Sequence, residues 1–395
     1  AFSGEHGDGL ARTEFNPEMY GPQLWTAFKD LKSAFDPDWL LNPGTVVYRD
    51  EADVAASGRL RPGEPADSRE KLRYGPTYQS VEPATELDFG DEGGFSHLVE
   101  LCNGCGTCRQ TGSDVMCPTY RASREELEST RGRANMLRAA ISGDLPDDEL
   151  YTERFQAAVL DLCVGCKACK SDCPTGVDLA KLKAEVTHEH HQRHGASLRD
   201  KLFANVDALN ALGSKLAPLS NWAAKVPGAR TVMEKTVGIA RERSLPTFHR
   251  ESLTDWFDAR GGAQVDASET DRRVLLFPDS YTTYNAPDAG RAAVRVLEAA
   301  NVHVAIPEDV TGSGRPPFSK GFLDQAREQA ETNVGALAPQ VRDGWDIVVV
   351  EPSDAVMLQS DYRDLLTGED VETVADNAYG VMEYLDAHRL DERLE

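Results

Sequence analysis

All eight cysteines of this 395-residue chain fall between residues 102 and 173, and no other feature constrains the fold as strongly. They form two sets with one pattern, three cysteines separated by two residues each and a fourth that precedes a proline. The sets are Cys102, Cys105, Cys108 and Cys117-Pro118, and Cys163, Cys166, Cys169 and Cys173-Pro174. Because thiols this concentrated are seldom chemically idle, we expect the region to fold around them.

The spacing is typical of thiolate ligands to [4Fe–4S] clusters, since three cysteines two residues apart can occupy one face of a cubane. The fourth ligand of such a cluster usually comes from the Cys-Pro of the other set. We therefore expect two clusters, each bound by three cysteines of one set and one of the other. One would be held by Cys102, Cys105, Cys108 and Cys173, and the other by Cys163, Cys166, Cys169 and Cys117.

Three other states of the cysteines compete with this interpretation. Disulfides require an oxidising compartment, and the sequence shows no signal-peptide pattern. Structural zinc suits paired C-x2-C spacing, but the third cysteine of each run is surplus to a tetrahedral site. Unligated cysteines are not expected at this density. The iron–sulfur interpretation is favoured over all three.

The chain is strongly acidic, with a net charge of −24 from 42 basic and 66 acidic residues. Nucleic-acid binding needs a basic footprint, so nucleic acid is not an expected partner. The basic residues comprise 12 lysines and 30 arginines, and an acidic, lysine-poor surface suggests a salt-adapted, haloarchaea-like protein. No apolar run approaches the ~20 residues that span a bilayer. These features predict a cytoplasmic protein, with at most peripheral contact at the inner face of a membrane.

The first ten residues, A-F-S-G-E-H-G-D-G-L, place Glu5 and His6 side by side in a glycine-rich turn. Glycine permits close approach of the backbone to a ligand. A histidine can act as a base near neutral pH, and a glutamate can bind a divalent metal such as zinc or manganese. The turn is therefore a candidate catalytic element.

This motif, followed by M-Y-G-P and F-D-P-D-W-L-L-N-P-G, resembles the C-terminal end of the flavin-dependent D-2-hydroxyacid dehydrogenases over residues 1–48. The resemblance implies that Glu5 is a metal ligand, that His6 is the active-site base and that Asn42 lies near the FAD. The family's FAD-binding domain has no counterpart here, so we expect a C-terminal fragment whose partner is a flavin domain, in the same parent chain or a separate subunit. The competing interpretation of 1–48 is a packed helix and tail.

Residues 49–95 are rich in Gly, Pro, Asp and Glu and predict an exposed linker. Residues 96–195 hold both cysteine sets, separated by helical patterns at 123–142 and 147–162. This helical insert resembles the alpha-helical ferredoxin domains of succinate dehydrogenase, anaerobic glycerol-3-phosphate dehydrogenase and heterodisulfide reductase. The R-G-R at 131–133 also fits that family. Its charge lies near a cluster or a carboxylate, or else on a solvated helix face.

Residues 196–268 predict a helical connector that prolines cut into pieces. Packing on the next domain is favoured over a role on a membrane or a partner, since its polar faces are not strongly basic. The helix before it ends with four closely spaced histidines. A solvated helix end is favoured there over a metal site. These residues are His188, His190, His191 and His194.

Residues 269–395 alternate strand and helix patterns and predict an α/β domain with a parallel sheet. The expected strands are 274–277, 302–306 and 347–350, and the last helix is 371–388. The segment resembles the first half of the cysteine-rich domain that follows the ferredoxin domain in these dehydrogenases. Gly312-Ser313 and Asp354 stand where that family has cysteines, so we expect a structural or docking role. The predicted fold class is thus α+β multidomain.

The favoured function is the iron–sulfur electron-transfer portion of a flavin-dependent D-2-hydroxyacid dehydrogenase, with D-lactate as the first candidate substrate. Electrons would pass from FAD through two [4Fe–4S] clusters to a quinone or carrier. His6 would take the hydroxyl proton of the substrate. One alternative is a stand-alone iron–sulfur carrier subunit of the glycerol-3-phosphate dehydrogenase or heterodisulfide reductase type. The other is a zinc-bound interaction scaffold.

Overall fold

The computed structural model of the chain describes residues 7–50, 78–112, 115–146 and 148–390. The chain divides into two units, Ala1–Ser80 and Val81–Glu395. Glu5 and His6 lie outside the described residues, as does most of the predicted linker.

The first unit contains a long kinked helix. Its helices are Gly9–Arg12, a 3-10 turn at Thr13–Phe15, and Asn16–Phe35. Gly21 interrupts the long helix at φ 73° and ψ 168°, because the following Pro22 disfavours helical geometry in the residue before it. The helix ends at Asp36, whose carboxylate accepts hydrogen bonds from the amides of Leu40 and Leu41 at 3.0 and 2.9 Å.

The cysteine region of the second unit is built from short helices. They are Phe95–Glu100, Pro118–Ser123, Thr130–Ile141, Glu153–Phe155, Ala168–Asp172 and Leu179–His194, with 3-10 turns at Thr107–Arg109, Glu126–Glu128 and Glu149–Tyr151 and a π-helical stretch at Gln156–Leu160. The helix predicted over 123–142 begins only at Thr130, because Ser129 Oγ caps it by accepting from the Gly132 amide at 2.9 Å. A Cβ at Gly132 would collide with the carbonyl oxygen of Glu126.

Residues 81–94 differ from the exposed linker predicted up to residue 95. Leu87 and Phe89 are buried in the core of the cysteine region. The buried carboxylate of Glu185 accepts hydrogen bonds from the amides of Glu86 and Leu87, each at 2.9 Å. The polar composition predicted exposure wrongly for these residues. Their backbone amides donate hydrogen bonds to a carboxylate distant in sequence rather than to water.

The connector packs on the α/β region. Its helices are Leu198–Ala204, Val206–Lys215, Leu219–Ala223, Pro227–Val237 and Leu253–Ala259. The Asn210 side chain donates to Ser280 Oγ at 3.0 Å. Gly213 leaves room for the ring of Phe248, which a Cβ there would strike. The contact between Asn210 and Ser280 shows the connector packed on the α/β region, which is the interpretation that the sequence favoured.

A four-stranded parallel sheet forms the α/β region. The strands are β1 Arg273–Phe277, β2 His303–Ala305, β3 Asp346–Val349 and β4 Ala378–Gly380, in the order β2-β1-β3-β4. The register places Leu275 opposite Ala305 on one side and Ile347 on the other. β4 lies inside the helix predicted over 371–388, and with three residues and one buried side chain it has no recognisable strand pattern.

In the described part of the chain, eight helices accompany the sheet. They are Ser280–Tyr284, Pro287–Ala299, Arg315–Ser319, Leu323–Arg342, Pro352–Val356, Tyr362–Leu365, Glu369–Asp376 and Val381–Ala387, with a π-helical stretch at Met357–Asp361. One hydrophobic core joins the cysteine region to this region and includes Leu98, Leu160, Phe318 and Tyr362. The segments predicted as separate domains at 96–195 and 269–395 therefore share their interior.

Two buried carboxyl groups beside the sheet link stability to pH. Asp279 is fully buried and caps the helix Ser280–Tyr284, and burial raises its pKa to about 6. Burial likewise raises the pKa of Asp354 to about 7. The folded state therefore keeps protons that the unfolded state releases. This contribution to stability is complete below about pH 4 and is lost as the pH rises through about 7.

We expect the free energy of unfolding to fall between about pH 5.5 and about pH 8, and Asp354→Asn to reduce that fall by about 1 kcal/mol or more. The asparagine keeps an acceptor for the Ser313 hydroxyl, which bonds the Asp354 carboxyl. Urea titrations at both pH values measure the difference. An equal pH dependence in the two proteins would contradict the assignment.

Candidate metal centre

The eight cysteines line two voids. The first has an empty volume of about 270 Å³ and the second about 330 Å³. Each void takes three cysteines from one set and the fourth from the other. The first is lined by Cys102, Cys105, Cys108 and Cys173. The second is lined by Cys117, Cys163, Cys166 and Cys169. These are the quartets that the sequence predicts, and their binding of clusters stays a prediction.

Left-handed residues shape both cysteine loops in the same way. In the first loop Gly104 and Gly106, on either side of Cys105, have φ of 80° and 81°. In the second loop Gly165 and Lys167 flank Cys166 with φ of 63° and 58°. Left-handed backbone on both sides of the middle cysteine curls the chain, so that all three cysteines of a loop line one void.

Threonine hydroxyls accompany three of the cysteines at a fixed spacing. Thr119 Oγ1 lies 3.2 Å from the sulfur of Cys117. The same C-x-T arrangement places threonine hydroxyls 3.4 Å from the sulfurs of Cys105 and Cys173. The hydroxyl of Thr107 lowers the pKa of Cys105. These hydroxyls stabilise thiolate charge, and the repeated C-x-T spacing is a signal that the sequence analysis missed.

Arg133 is a fully buried cation at the second void. Its nitrogens donate to the carbonyl of Val159 at 2.8 Å, to Thr119 Oγ1 at 3.2 Å and to Cys117 Sγ at 3.8 Å. Its Nη2 has no hydrogen-bond partner among the described residues. A buried guanidinium needs nearby negative charge, and four thiolates around an iron–sulfur cluster would supply it. The residues present therefore fit this group.

Arg131 serves the first void. Its backbone amide donates to Cys108 Sγ at 3.3 Å, and its Nη1 donates to the Gly104 carbonyl at 3.1 Å. Glu126 pairs with the same guanidinium at 2.7 Å. Both arginines of the R-G-R motif thus lie beside cysteines, and Arg131 also lies beside a carboxylate, so the motif is not simply a solvated helix face.

Burial holds some of these thiols in their protonated form unless a cation is near. It raises the pKa of Cys108, and that of Cys169 to about 12. Metal binding to such thiols must displace protons. Within the described ranges, no three His, Cys, Asp or Glu side chains converge closely enough to hold a single metal ion. The thiols of each quartet are instead spread around a void.

The remaining predicted site residues, Glu5, His6 and Asn42, belong to the first unit. Glu5 and His6 lie outside the described residues. Asn42 is exposed, with φ of 45°, and its carbonyl accepts from the Thr45 amide at 3.2 Å. This bond gives Asn42 a role in a turn, while its place near FAD stays a prediction.

The histidine-rich helix end, for which a solvated end was expected, is buried at His188 but exposed at His194. His188 is buried, and its Nδ1 lies 3.1 Å from the Gly321 carbonyl. The ring of His191 lies 5.0 Å from that of Phe322. Gly321 and Phe322 thus cover His188 and part of His191, which the sequence of the helix alone could not reveal, while residues 192–194 are exposed.

Acidic and hydroxyl side chains lie at the positions of the α/β region where the cysteine-rich domain that it resembles has cysteines. Ser313 Oγ donates to Asp354. A carboxylate oxygen of Asp207, from the connector, fills the space that a Cβ at Gly312 would need. Oxygen-bearing side chains therefore surround this position, and the structural or docking role expected for the region stays a prediction.

Comparison with known proteins places two segments of the chain. Residues 1–46 match the C-terminal domain of FAD linked oxidases, and residues 98–177 match the 4Fe-4S dicluster domain. The chain thus combines the end of a flavin-linked oxidase domain with a region of the two-cluster iron–sulfur type.

Individual relatives point the same way. The D-2-hydroxyglutarate dehydrogenase of Haemophilus influenzae is 23% identical over 403 residues, which cover 92% of this chain and 37% of that protein. The probable glycolate oxidase iron-sulfur subunit of Bacillus subtilis is 36% identical over 251 residues, 60% of this chain and 53% of that protein. One subunit of the anaerobic glycerol-3-phosphate dehydrogenase of Escherichia coli is 25% identical over 171 residues, 43% of this chain and 42% of that protein.

The chain spans a little more than a third of the length of the D-2-hydroxyglutarate dehydrogenases that it matches, 37% in Haemophilus influenzae and 38% in Escherichia coli. No solved structure matches it.

We expect Thr119→Val to lower the reduction potential of the cluster in the second void by roughly 30–60 mV, because a hydrogen bond to a ligand sulfur favours the more negative, reduced state. Thr107→Val is the matched control and should shift only the other cluster. Potentiometric titration followed by electron paramagnetic resonance separates the two signals. Shifts of the same signal by both variants would contradict this placement.

Proposed function

We propose that this chain is the iron–sulfur electron-transfer portion of a flavin-dependent D-2-hydroxyacid dehydrogenase. The observation that carries the proposal is the lining of two voids by four cysteines each, with the fourth cysteine exchanged between the sets. In such voids a [4Fe–4S] cluster supplies reversible one-electron transfer, which complements the two-electron chemistry of a flavin.

The chain's own residues hold and tune that charge. The two quartets provide the thiolates, and the loops curl round them through left-handed residues. Arg133 stabilises negative charge at the second void and the amide of Arg131 does so at the first. Hydrogen bonds and charges of this kind set the potential of an iron–sulfur centre.

The flavin end of the proposal rests on residues 1–46 and their match to the FAD linked oxidase domain. There Glu5 would hold a divalent metal, zinc or manganese, His6 would accept the proton of the substrate hydroxyl, and Asn42 would lie near FAD. The hydride acceptor is an FAD bound by a flavin domain, our proposed partner. D-Lactate and D-2-hydroxyglutarate are the two candidate substrates, and the names of the longest-matching relatives favour the second.

The quartets can be tested by removing one cysteine at a time. Cys117→Ala and Cys163→Ala should each lower the iron content from about eight to about four atoms per chain and leave the same remaining cluster signal. Cys173→Ala should leave the other signal. If each set kept its own fourth cysteine, Cys117→Ala would instead resemble Cys102→Ala. Iron analysis and electron paramagnetic resonance of anaerobically prepared protein distinguish the two results.

Substrate oxidation provides a second test. Joined to an FAD-linked oxidase domain of the D-2-hydroxyacid type, the chain should lose its visible cluster absorption anaerobically on addition of D-2-hydroxyglutarate or D-lactate. His6→Ala should slow this bleaching by more than about a hundredfold, because the base is lost. Dithionite should still bleach the band. If dithionite bleaches the band but neither substrate does, the dehydrogenase proposal is wrong.

A second candidate is a stand-alone iron–sulfur carrier subunit. It is favoured by the relatives named as iron-sulfur subunits, which match 60% and 69% of this chain. In that case the clusters would accept electrons from a separate flavoprotein, and variants at His6 would have no effect. A zinc-bound scaffold, the third possibility, would show no visible band that dithionite bleaches.

The charge pattern supports one further part of the proposal, a salt-adapted protein of the cytoplasm. Screening by salt weakens repulsion among the carboxylates of a chain with a net charge of −24. We expect the melting temperature to rise with potassium chloride, and a flat or falling response in calorimetry would exclude salt adaptation. Among the described helices, none is both long and apolar enough to cross a bilayer.

A further inference from the structure

A cleft with about 690 Å³ of empty space lies between the cysteine region and the α/β region. Three cations line it, Lys183, Arg315 and Lys320, against one acid, Asp161. The residues that line the cleft thus carry more positive than negative charge, although Asp361 and Asp200 behind them partly offset Arg315 and Lys320, in a chain with a net charge of −24. Such a concentration of cations attracts small anions even where the whole protein repels them.

The cleft adjoins the second quartet. Cys163, Val164 and Gly165 line both the cleft and the second void. Lys183 Nζ donates to the carbonyl of Cys163 at 2.7 Å, and Arg315 Nη2 donates to that of Gly165 at 3.0 Å. An occupant of the cleft would therefore touch the backbone of a residue that holds the second cluster.

The cations are held in place by the fold. Arg315 Nη1 pairs with the buried Asp361 at 3.2 Å, and Asp361 also pairs with Lys167. Lys320 pairs with Asp200 at 3.3 Å and keeps about a third of its side chain exposed, 35%. The buried ring of Phe318 adds an apolar wall. Charge and shape together suit a small anion rather than a protein surface.

We propose that this cleft binds a small, negatively charged electron acceptor, so that electrons leave the protein through the second quartet. The inference rests on the proposed function, since it requires a cluster at that quartet. One electron passes to the acceptor in each transfer, and no bond or proton moves. The acceptor becomes more negative by one charge, which Lys183, Arg315 and Lys320 stabilise.

Stopped-flow reoxidation of the full chain, reduced with dithionite under anaerobic conditions, tests the proposal without a flavin partner. Ferricyanide is the anionic probe, and hexaammineruthenium(III) is the cationic one. We expect the rate with ferricyanide to saturate with concentration. Lys183→Met and Lys320→Gln should each lower the low-concentration rate with ferricyanide by about tenfold, and leave the rate with the ruthenium complex unchanged or raised.

Lys215→Gln is the matched control, because it removes one exposed lysine that does not line the cleft. It should leave both rates unchanged. Lys320→Gln keeps the test valid if Lys183→Met folds poorly, since the Lys320 side chain is partly exposed. A rate with ferricyanide that is insensitive to both cleft variants, or equally sensitive to Lys215→Gln, would refute this inference alone. A chain with no band that dithionite bleaches would refute the proposed function as well.

Discussion

The contact between arginines and the cysteine quartets is the interaction on which the site depends, because ionised thiols there would add negative charge to a chain that is already acidic. The chain places Arg133, fully buried, against Cys117 and leaves one of its nitrogens without a partner among the described residues. Arg131 reaches the first loop in a similar way, although Glu126 offsets its charge. A buried cation is stable only beside negative charge. Ionised thiols would supply that charge to Arg133, and Arg133 would in turn favour their ionised form.

Each void takes its fourth cysteine from the other set, so the two cysteine loops lie close together in the fold. Cys117 and Cys173 each end a segment that must return to the opposite loop. The helix Thr130–Ile141 lies between the two sets and carries both arginines. The many short helices around the two voids share one hydrophobic core. The α/β region packs against that core without cysteines of its own. Its Arg315 and Asp361 connect it to the second cysteine loop and support the second quartet from outside.

Much of this could be predicted. Local spacing indicated the cysteine quartets, because the geometry of a cubane restricts how a short loop can bind it. Apolar runs indicated β1, β2 and β3, since buried parallel strands are continuously apolar. β4 was missed because three residues carry no periodic pattern. The buried Leu87 and Phe89 were missed because the backbone amides of Glu86 and Leu87 bond to Glu185, nearly a hundred residues away in sequence.

The sequence by itself determined the chemistry of the chain, that is, which residues can be thiolate ligands, how they are grouped and which strands are buried. Spacing and residue type are local properties, and they survive without coordinates. Only the tertiary structure decided that Arg133 is buried beside Cys117, that His188 is buried against Gly321, and that Lys183, Arg315 and Lys320 share one cleft. Those relations depend on contacts between residues far apart in the chain, which no local pattern encodes.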